Sequence, residues 1–150
     1  MTEQPSRTSS GNTDAAAQPP DQPGQQPAGP VMTPERLRAF GVAWNNGDVD
    51  TLMSFMTDDC IYSASVGPEP GRTYRGRDEV RQGFAAMLSF DAAGESRDGP
   101  VVVCGTWGSA QWSYVFTEPD GTTTEVRGCD LFEFRGDKIT RKDAFRKAAG

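Results

Sequence analysis

Four segments of alternating apolar and polar residues fill the last third of the chain, and only short turns join them. The segments cover residues 100–107, 110–117, 123–135 and 138–146. A period of two predicts strands with one buried face, and such short connections leave no room for crossover helices. This part of the chain therefore predicts an antiparallel sheet of hairpin-linked strands.

Helical patterns come before this sheet. Thr33 and Pro34 are a typical cap and first residue of a helix, and residues 45–48 (NNGD) supply a stop for it and a cap for a second helix. A strand over 60–66 and a turn-rich stretch over 67–76 follow. A third helix then has apolar residues at helical spacing, at Val80, Phe84, Met87 and Leu88. This order is an α+β pattern with three helices against a mostly antiparallel sheet.

The first thirty residues differ from the rest in composition. Residues 2–30 contain no Ile, Leu, Val or aromatic residue and are rich in Pro, Gln and Gly. Such a mixture cannot bury enough apolar surface to offset the entropy of ordering. We therefore predict a disordered tail over 1–30 and a single folded domain over 31–150.

The charge balance restricts the partners. Fifteen Lys and Arg against twenty-one Asp and Glu give a net charge of −6, which argues against a nucleic-acid backbone or an anionic membrane as partner. The first residues lack the basic and apolar regions of a leader, and no apolar run is long enough to span a bilayer. We expect a cytoplasmic protein without a nucleic-acid or membrane partner.

The absence of histidine restricts the chemistry. It excludes Ser-His and Cys-His catalytic arrangements and removes the commonest metal ligand. Cys60, Cys104 and Cys129 are far apart, with neither the spacing of a zinc site nor that of a disulfide framework. We expect no metal and no organic cofactor, a reducing compartment, and acid–base chemistry carried by Asp, Glu, Tyr or Lys.

Two acids fall on the predicted buried face of the last two strands. Asp130 alternates with Phe132 on one strand, and Asp143 alternates with Arg141 on the next. If Gly136-Asp137 is a two-residue hairpin loop, Asp130 lies directly opposite Asp143. Like charges so placed repel, and burial disfavours ionisation, so the pair is expected to share a proton or to take a cation, with Arg141 nearest.

Aromatic residues are predicted beside these acids. The turn over 118–122 pairs Tyr114 with Val126 and Trp112 with Gly128, which leaves room for the indole. Tyr62 lies on the apolar face of the first strand. Aromatic walls with a few polar groups are typical of a small-molecule pocket. In the alternative reading, the acids lie in water at an open end of the sheet, or a one-residue slip turns both outward.

At this point the chain resembles the nuclear transport factor 2-like superfamily, and more closely its SnoaL-like and ketosteroid-isomerase-like branch. The resemblance covers roughly 32–147 and rests on WNNGD, FMTDDCIYSASVG, TYRGRDEV and RGCDLFEFRGDKITRKDAF, in that order. It implies a curved sheet wrapped on three helices as a cone, with a deep pocket at the wide end, and commonly a homodimer.

The resemblance also implies roles for single residues. Asp130, in DLFEF, falls on the hydrogen-bond-donating acid of the steroid isomerases, but Ala64 and Phe40 stand where those enzymes carry their proton-shuttling acid and a tyrosine. Asp143 resembles the acid that SnoaL-like cyclases and limonene-epoxide hydrolases keep on the last strand. Its spacing from Ile139 is one residue shorter than theirs.

Three hypotheses follow. The first is an acid–base enzyme acting on a small hydrophobic, cyclic or polyketide-like molecule. In this enzyme Asp130 and Asp143 share a proton and Phe132 and Arg141 line the pocket, while Trp112, Tyr114 or Tyr62 contacts the substrate. The second is a binding module of the same fold that does not convert its ligand. The third is a structural role in which the sheet serves as an oligomerisation surface.

Overall fold

The computed structural model describes residues 29–68 and 70–147. Its helices are α1 Pro34–Asn45, α2 Val49–Ser54 and α3 Gly76–Phe90, and its strands are β1 Met56–Ser63, β2 Thr73–Arg75, β3 Glu95–Cys104, β4 Trp107–Thr117, β5 Thr123–Arg135 and β6 Lys138–Arg146. The α+β order with three helices is as predicted. Residues 1–28, which hold most of the predicted tail, lie outside the described residues.

The corner between the first two helices forms as its sequence predicts. The Thr33 hydroxyl accepts a hydrogen bond from the backbone N–H of Arg36 at 3.1 Å, and Pro34 opens α1. Gly47 adopts φ 66°, a left-handed conformation that glycine adopts without strain, and Asp48 then caps α2 by accepting from the N–H of Thr51 at 3.0 Å. These caps define where α1 begins and where the chain turns into α2.

The strands form one curved sheet in the order β2-β1-β6-β5-β4-β3. Every neighbouring pair is antiparallel except β1 and β6, which are parallel. Strand β2 lies inside the stretch that the sequence predicts as turns. It could not be predicted from the sequence, because three residues are too few to show an alternating pattern. Strand β3 begins five residues before its predicted start, and a register shift between Asp98 and Val101 interrupts its alternation.

The β5–β6 hairpin corrects the central prediction of the sequence. Its two-residue loop pairs Arg135 with Lys138 and Phe134 with Ile139 as expected, but a bulge follows, and Glu133 then pairs with Arg141. The extra residue on β6 is Thr140, whose hydroxyl donates to the Glu133 carbonyl at 3.1 Å. Beyond a bulge every side chain changes face. The predicted pairing of Asp130 with Asp143 is therefore wrong, since Asp130 pairs with Ala144 and Leu131 pairs with Asp143.

The helices and the inner face of the sheet share one apolar core. At its centre, the ring of Phe40 makes edge-to-face contacts with Phe55, Phe84 and Phe132, at centroid distances of 5.6, 6.1 and 5.9 Å. Phe40 and Phe132 also line the cavity of the molecule, so the core forms its inner wall. Within the described residues, no helix has the length and apolar character needed to span a membrane.

Candidate functional site

A cavity of about 250 Å³ lies between α1 and the inner face of the sheet. Helix α1 contributes apolar side chains at helical spacing, and strands β3 to β6 contribute the residues whose side chains alternate inward. Five of the seven residues predicted for the site line this cavity: Tyr62, Trp112, Tyr114, Asp130 and Phe132. Arg141 and Asp143 do not.

Asp130 is a buried carboxylate of this cavity, with 8% of its surface exposed. The indole Nε1–H of Trp112 donates to its Oδ1 at 3.1 Å, and the Nζ of Lys142 lies 3.0 Å from its Oδ2. A donor thus faces each oxygen. Gly128 makes the indole contact possible, because a Cβ at that position would lie 2.3 Å from Cζ2 of Trp112.

Lys142 is a site residue that the sequence reasoning missed. The bulge turns it inward, so that it pairs with Phe132 across the hairpin and lies diagonal to Asp130. Its side chain is 3% exposed, and its ammonium lies 4.5 Å from the ring centroid of Trp44 and 5.0 Å from that of Tyr62. The short spacing between Ile139 and the predicted last-strand acid was the one signal that could have shown this.

Arg141 and Asp143 lie on the opposite face of the sheet. Their side chains form a loose ion pair at 3.7 Å, and they are 44% and 29% exposed. The bulge at Thr140 is the physical cause, because it exchanges the inward and outward sets of β6. The predicted proton-sharing acid pair is absent, and a carboxylate–ammonium pair stands in its place.

A second ion pair joins the cavity wall to the end of α3. Arg146 lies 2.9–3.0 Å from both carboxylate oxygens of Asp91 and donates to the Ser65 hydroxyl at 3.3 Å, while its guanidinium lies 5.1 Å from the ring centroid of Trp112. Burial raises the pKa of Asp91, against the opposing effect of Arg146. The pair ties β6, α3 and the segment after β1 together around the cavity.

Two buried tyrosines also belong to the polar part of the cavity. The Nε1–H of Trp44 donates to the Tyr114 hydroxyl at 3.2 Å, and burial raises the pKa of Tyr114. The Tyr62 hydroxyl has no hydrogen-bond partner among residues 29–68 and 70–147. Burial, and after it the nearby Asp130 carboxylate, raises the pKa of Tyr62 well above its ordinary value. Both phenols are therefore neutral groups near pH 7.

The described part of the chain holds no group of three His, Cys, Asp or Glu side chains that could bind a metal ion. The polar groups of the cavity are instead carboxylates, an ammonium, two guanidinium groups, phenols, indoles, hydroxyls and amides. These groups can bind an oxygen-bearing organic molecule and can move a proton between carboxylate and ligand.

Comparison with known proteins gives a family and a fold. Residues 37–142 match the family described as the SnoaL-like domain. The chain is similar to an NTF2-like protein of unknown function from Cytophaga hutchinsonii, with 14% identity, a TM-score of 0.61, and coverage of 76% of this chain and 98% of that chain. No curated protein matches the chain in sequence.

Two further solved structures share the fold. One is a hypothetical protein with a ketosteroid isomerase-like fold from Catenulispora acidiphila, in complex with trimethylamine, with 22% identity, a TM-score of 0.59, and coverage of 76% of this chain and 86% of that chain. The other is SalBIII, an epoxide hydrolase/cyclase-like enzyme of pyran ring formation in the polyether salinomycin, with 18% identity, a TM-score of 0.59, and coverage of 75% and 88%. The predicted superfamily and branch are confirmed.

Proposed function

The chain belongs to the SnoaL-like domain family, and we propose that its cavity binds a small hydrophobic molecule, cyclic or polyketide-like, and converts it by acid–base isomerisation, cyclisation or hydrolysis. The observation that carries this proposal is a buried carboxylate, Asp130, in a cavity with aromatic walls. Apolar walls favour a hydrophobic ligand, and a positioned carboxylate is a suitable group for proton transfer. The structural likeness to SalBIII, which acts in a polyether ring closure, agrees with such a ligand.

Asp130 is proposed to act as a base. The Trp112 N–H donates to one of its oxygens and the Lys142 ammonium faces the other, so Asp130 accepts in this site, whereas the acid of the steroid isomerases is protonated and donates a hydrogen bond. Each carboxylate oxygen has two lone-pair directions, so Oδ1 and Oδ2 can accept a further proton while they keep their present partners. The base would thus stand ready beside a ligand that fills the cavity.

Hydrogen exchange in a simple ketone tests this role without knowledge of the natural substrate. We expect the protein to accelerate the exchange of the α-protons of 2-tetralone in D₂O, followed by NMR. Asp130→Asn should lose most of this acceleration, because the amide cannot accept the proton. Asp143→Asn, which changes a carboxylate on the outer face of the same hairpin, should keep it.

Circular dichroism of both variants separates loss of the base from loss of the fold. Wild-type exchange no faster than buffer, or full exchange in folded Asp130→Asn, would contradict the catalytic part of the proposal.

A non-catalytic binding module is the second candidate. Both oxygens of Asp130 already have partners within the protein, and Phe40 and Ala64 replace the tyrosine and the shuttling acid of the steroid isomerases that the chain resembles. In this case 2-tetralone would bind in the cavity and its α-protons would exchange at the rate of the uncatalysed reaction. The exchange assay and a binding titration together distinguish the two candidates.

We further propose a homodimer formed through the outer face of the sheet. Four neighbouring strands each present one exposed apolar side chain there, Val102, Trp107, Leu131 and Phe145, between 39% and 55% exposed. An apolar set rimmed by charges of both signs is typical of an interface between copies. Leu131→Asp should give a monomer by mass measurement in solution, and Val42→Asp, an equally apolar exposed position on α1, should not. A monomeric wild-type protein at micromolar concentration would contradict this proposal.

The reducing cytoplasm is the proposed setting. Cys60, Cys104 and Cys129 are all free thiols, and thiols persist where glutathione keeps them reduced.

A further inference from the structure

The cavity holds a lysine in an unusual position for this chain. The sequence contains three lysines against twelve arginines, and its surface ion pairs are made by arginine. Among the described residues, Lys142 alone of the lysines and arginines is buried to 3% exposure. Arginine is the usual choice for a buried ion pair, because its planar group binds carboxylates in two places and stays charged. A lysine here supplies what arginine cannot, a primary amine that can become neutral and nucleophilic.

Stability does not account for the Lys142–Asp130 pair. Removing two charges from water costs about as much as their attraction returns, so well-packed apolar residues at such positions are often equally stable. The amine also has few competing partners: Asp130 Oδ2 is at 3.0 Å, and the faces of Trp44 and Tyr62 lie on two other sides. The same two rings would flank a planar ligand bonded to Nζ.

We propose that Lys142 captures a ketone or aldehyde ligand as an imine. The inference rests on the proposed function in one respect, that a small hydrophobic molecule enters this cavity. It adds that the ligand carries a carbonyl group and that its binding is covalent and reversible. The protein group that assists is Asp130, which lies within hydrogen-bond reach of the amine.

The reaction balances without a cofactor. The Lys142 ammonium gives one proton to Asp130 Oδ2, and the neutral amine attacks the carbonyl carbon, so that a C–N bond forms and the carbonyl π electrons move to oxygen. After a second proton leaves nitrogen for that oxygen, the protonated Asp130 returns its proton to the resulting hydroxyl. Water leaves as the C=N bond forms. The products are a protonated imine, which faces the regenerated Asp130 carboxylate, and one water, and hydrolysis reverses each step.

Borohydride trapping with 2-tetralone tests the inference on the wild-type protein. Hydride reduces an imine to a stable secondary amine, so the protein gains the mass of the ketone less one oxygen atom. Because the chain has only three lysines, Lys138, Lys142 and Lys147, peptide mapping assigns the adduct directly. We expect the adduct on the Lys142 peptide, with loss of that adduct in Lys142→Arg. Lys138→Arg, which removes a half-buried lysine at the start of the same strand, should leave it unchanged.

A titration with 2-tetralone in the absence of borohydride measures binding alone. It separates the claim that the cavity binds the ketone from the claim that Lys142 forms an imine with it. If the ketone binds in the cavity and borohydride yields no adduct at Lys142, the imine is refuted and the proposed function stands. If adducts are spread over Lys138, Lys147 and the N-terminus as much as Lys142, the imine is again refuted. If the ketone does not bind at all, the proposed function fails, and the imine fails with it.

Discussion

Removing either partner of the Lys142–Asp130 pair is expected to destabilise the protein strongly, whereas replacing both is expected to cost much less. The two side chains are only 3% and 12% exposed, so water cannot solvate a charge that has lost its partner. Breaking a buried pair costs about 3–5 kcal/mol. In Asp130→Leu the Trp112 N–H also loses its acceptor, which adds about 1–3 kcal/mol.

A double-mutant cycle measures this coupling. The four proteins are wild type, Asp130→Leu, Lys142→Met and the double variant, and urea unfolding followed by circular dichroism gives the free energy of unfolding of each. The double variant leaves no buried charge without a partner. Its loss of stability should therefore be smaller than the sum of the losses of the two single variants, which gives a coupling of about 3 kcal/mol.

The Arg141–Asp143 pair is the matched control on the same hairpin. Its side chains are 44% and 29% exposed and their closest charged atoms are 3.7 Å apart, so the same cycle should give a coupling below about 1 kcal/mol. Coupling at the buried pair as small as at the exposed pair would refute the account of the cavity electrostatics.

Two further predictions concern the cavity wall. Burial raises the pKa of Tyr62 and Tyr114, so above about pH 10 the unfolded chain should lose protons that the folded chain keeps. The free energy of unfolding should therefore fall as pH rises there. A phenolate absorbance change from all three tyrosines before unfolding would contradict this. Gly128→Ala should destabilise by about 1–3 kcal/mol, because the new Cβ meets Trp112 and a backbone carbonyl at 2.3 Å; unchanged urea unfolding would contradict it.

The sequence predicted the parts of this fold that depend on local chemistry. The caps at Thr33 and Asp48, the loop at Gly136 and the pairing of Trp112 with Gly128 all follow from residue types with one strongly preferred geometry. The inward position of Asp130 follows from its alternation with Phe132, which continues along one uninterrupted strand.

The bulge at Thr140 could not be predicted in the same way. No glycine or proline marks it, and Thr, Arg, Lys and Asp in succession fit either face of a strand equally well. Tertiary contacts decide which side chains of β6 point inward. Arg141 and Asp143 point outward and reach solvent, whereas Lys142 points inward and contacts a carboxylate and two aromatic rings. The alternation of apolar and polar residues does not reveal these contacts. The extra residue, Thr140, therefore places Lys142 instead of Asp143 beside Asp130.

The three tryptophans offer the most direct test of the claim that this cavity is a ligand site. In the cavity wall, the indole N–H of Trp112 donates a hydrogen bond to Asp130 and that of Trp44 donates one to Tyr114. Trp107 lies on the outer face of the sheet. In a titration of ¹⁵N-labelled protein with 2-tetralone, the indole signals of Trp44 and Trp112 should shift together and that of Trp107 should not. Shifts confined to Trp107, or no shift in any of the three at saturating ketone, would contradict a ligand-binding cavity.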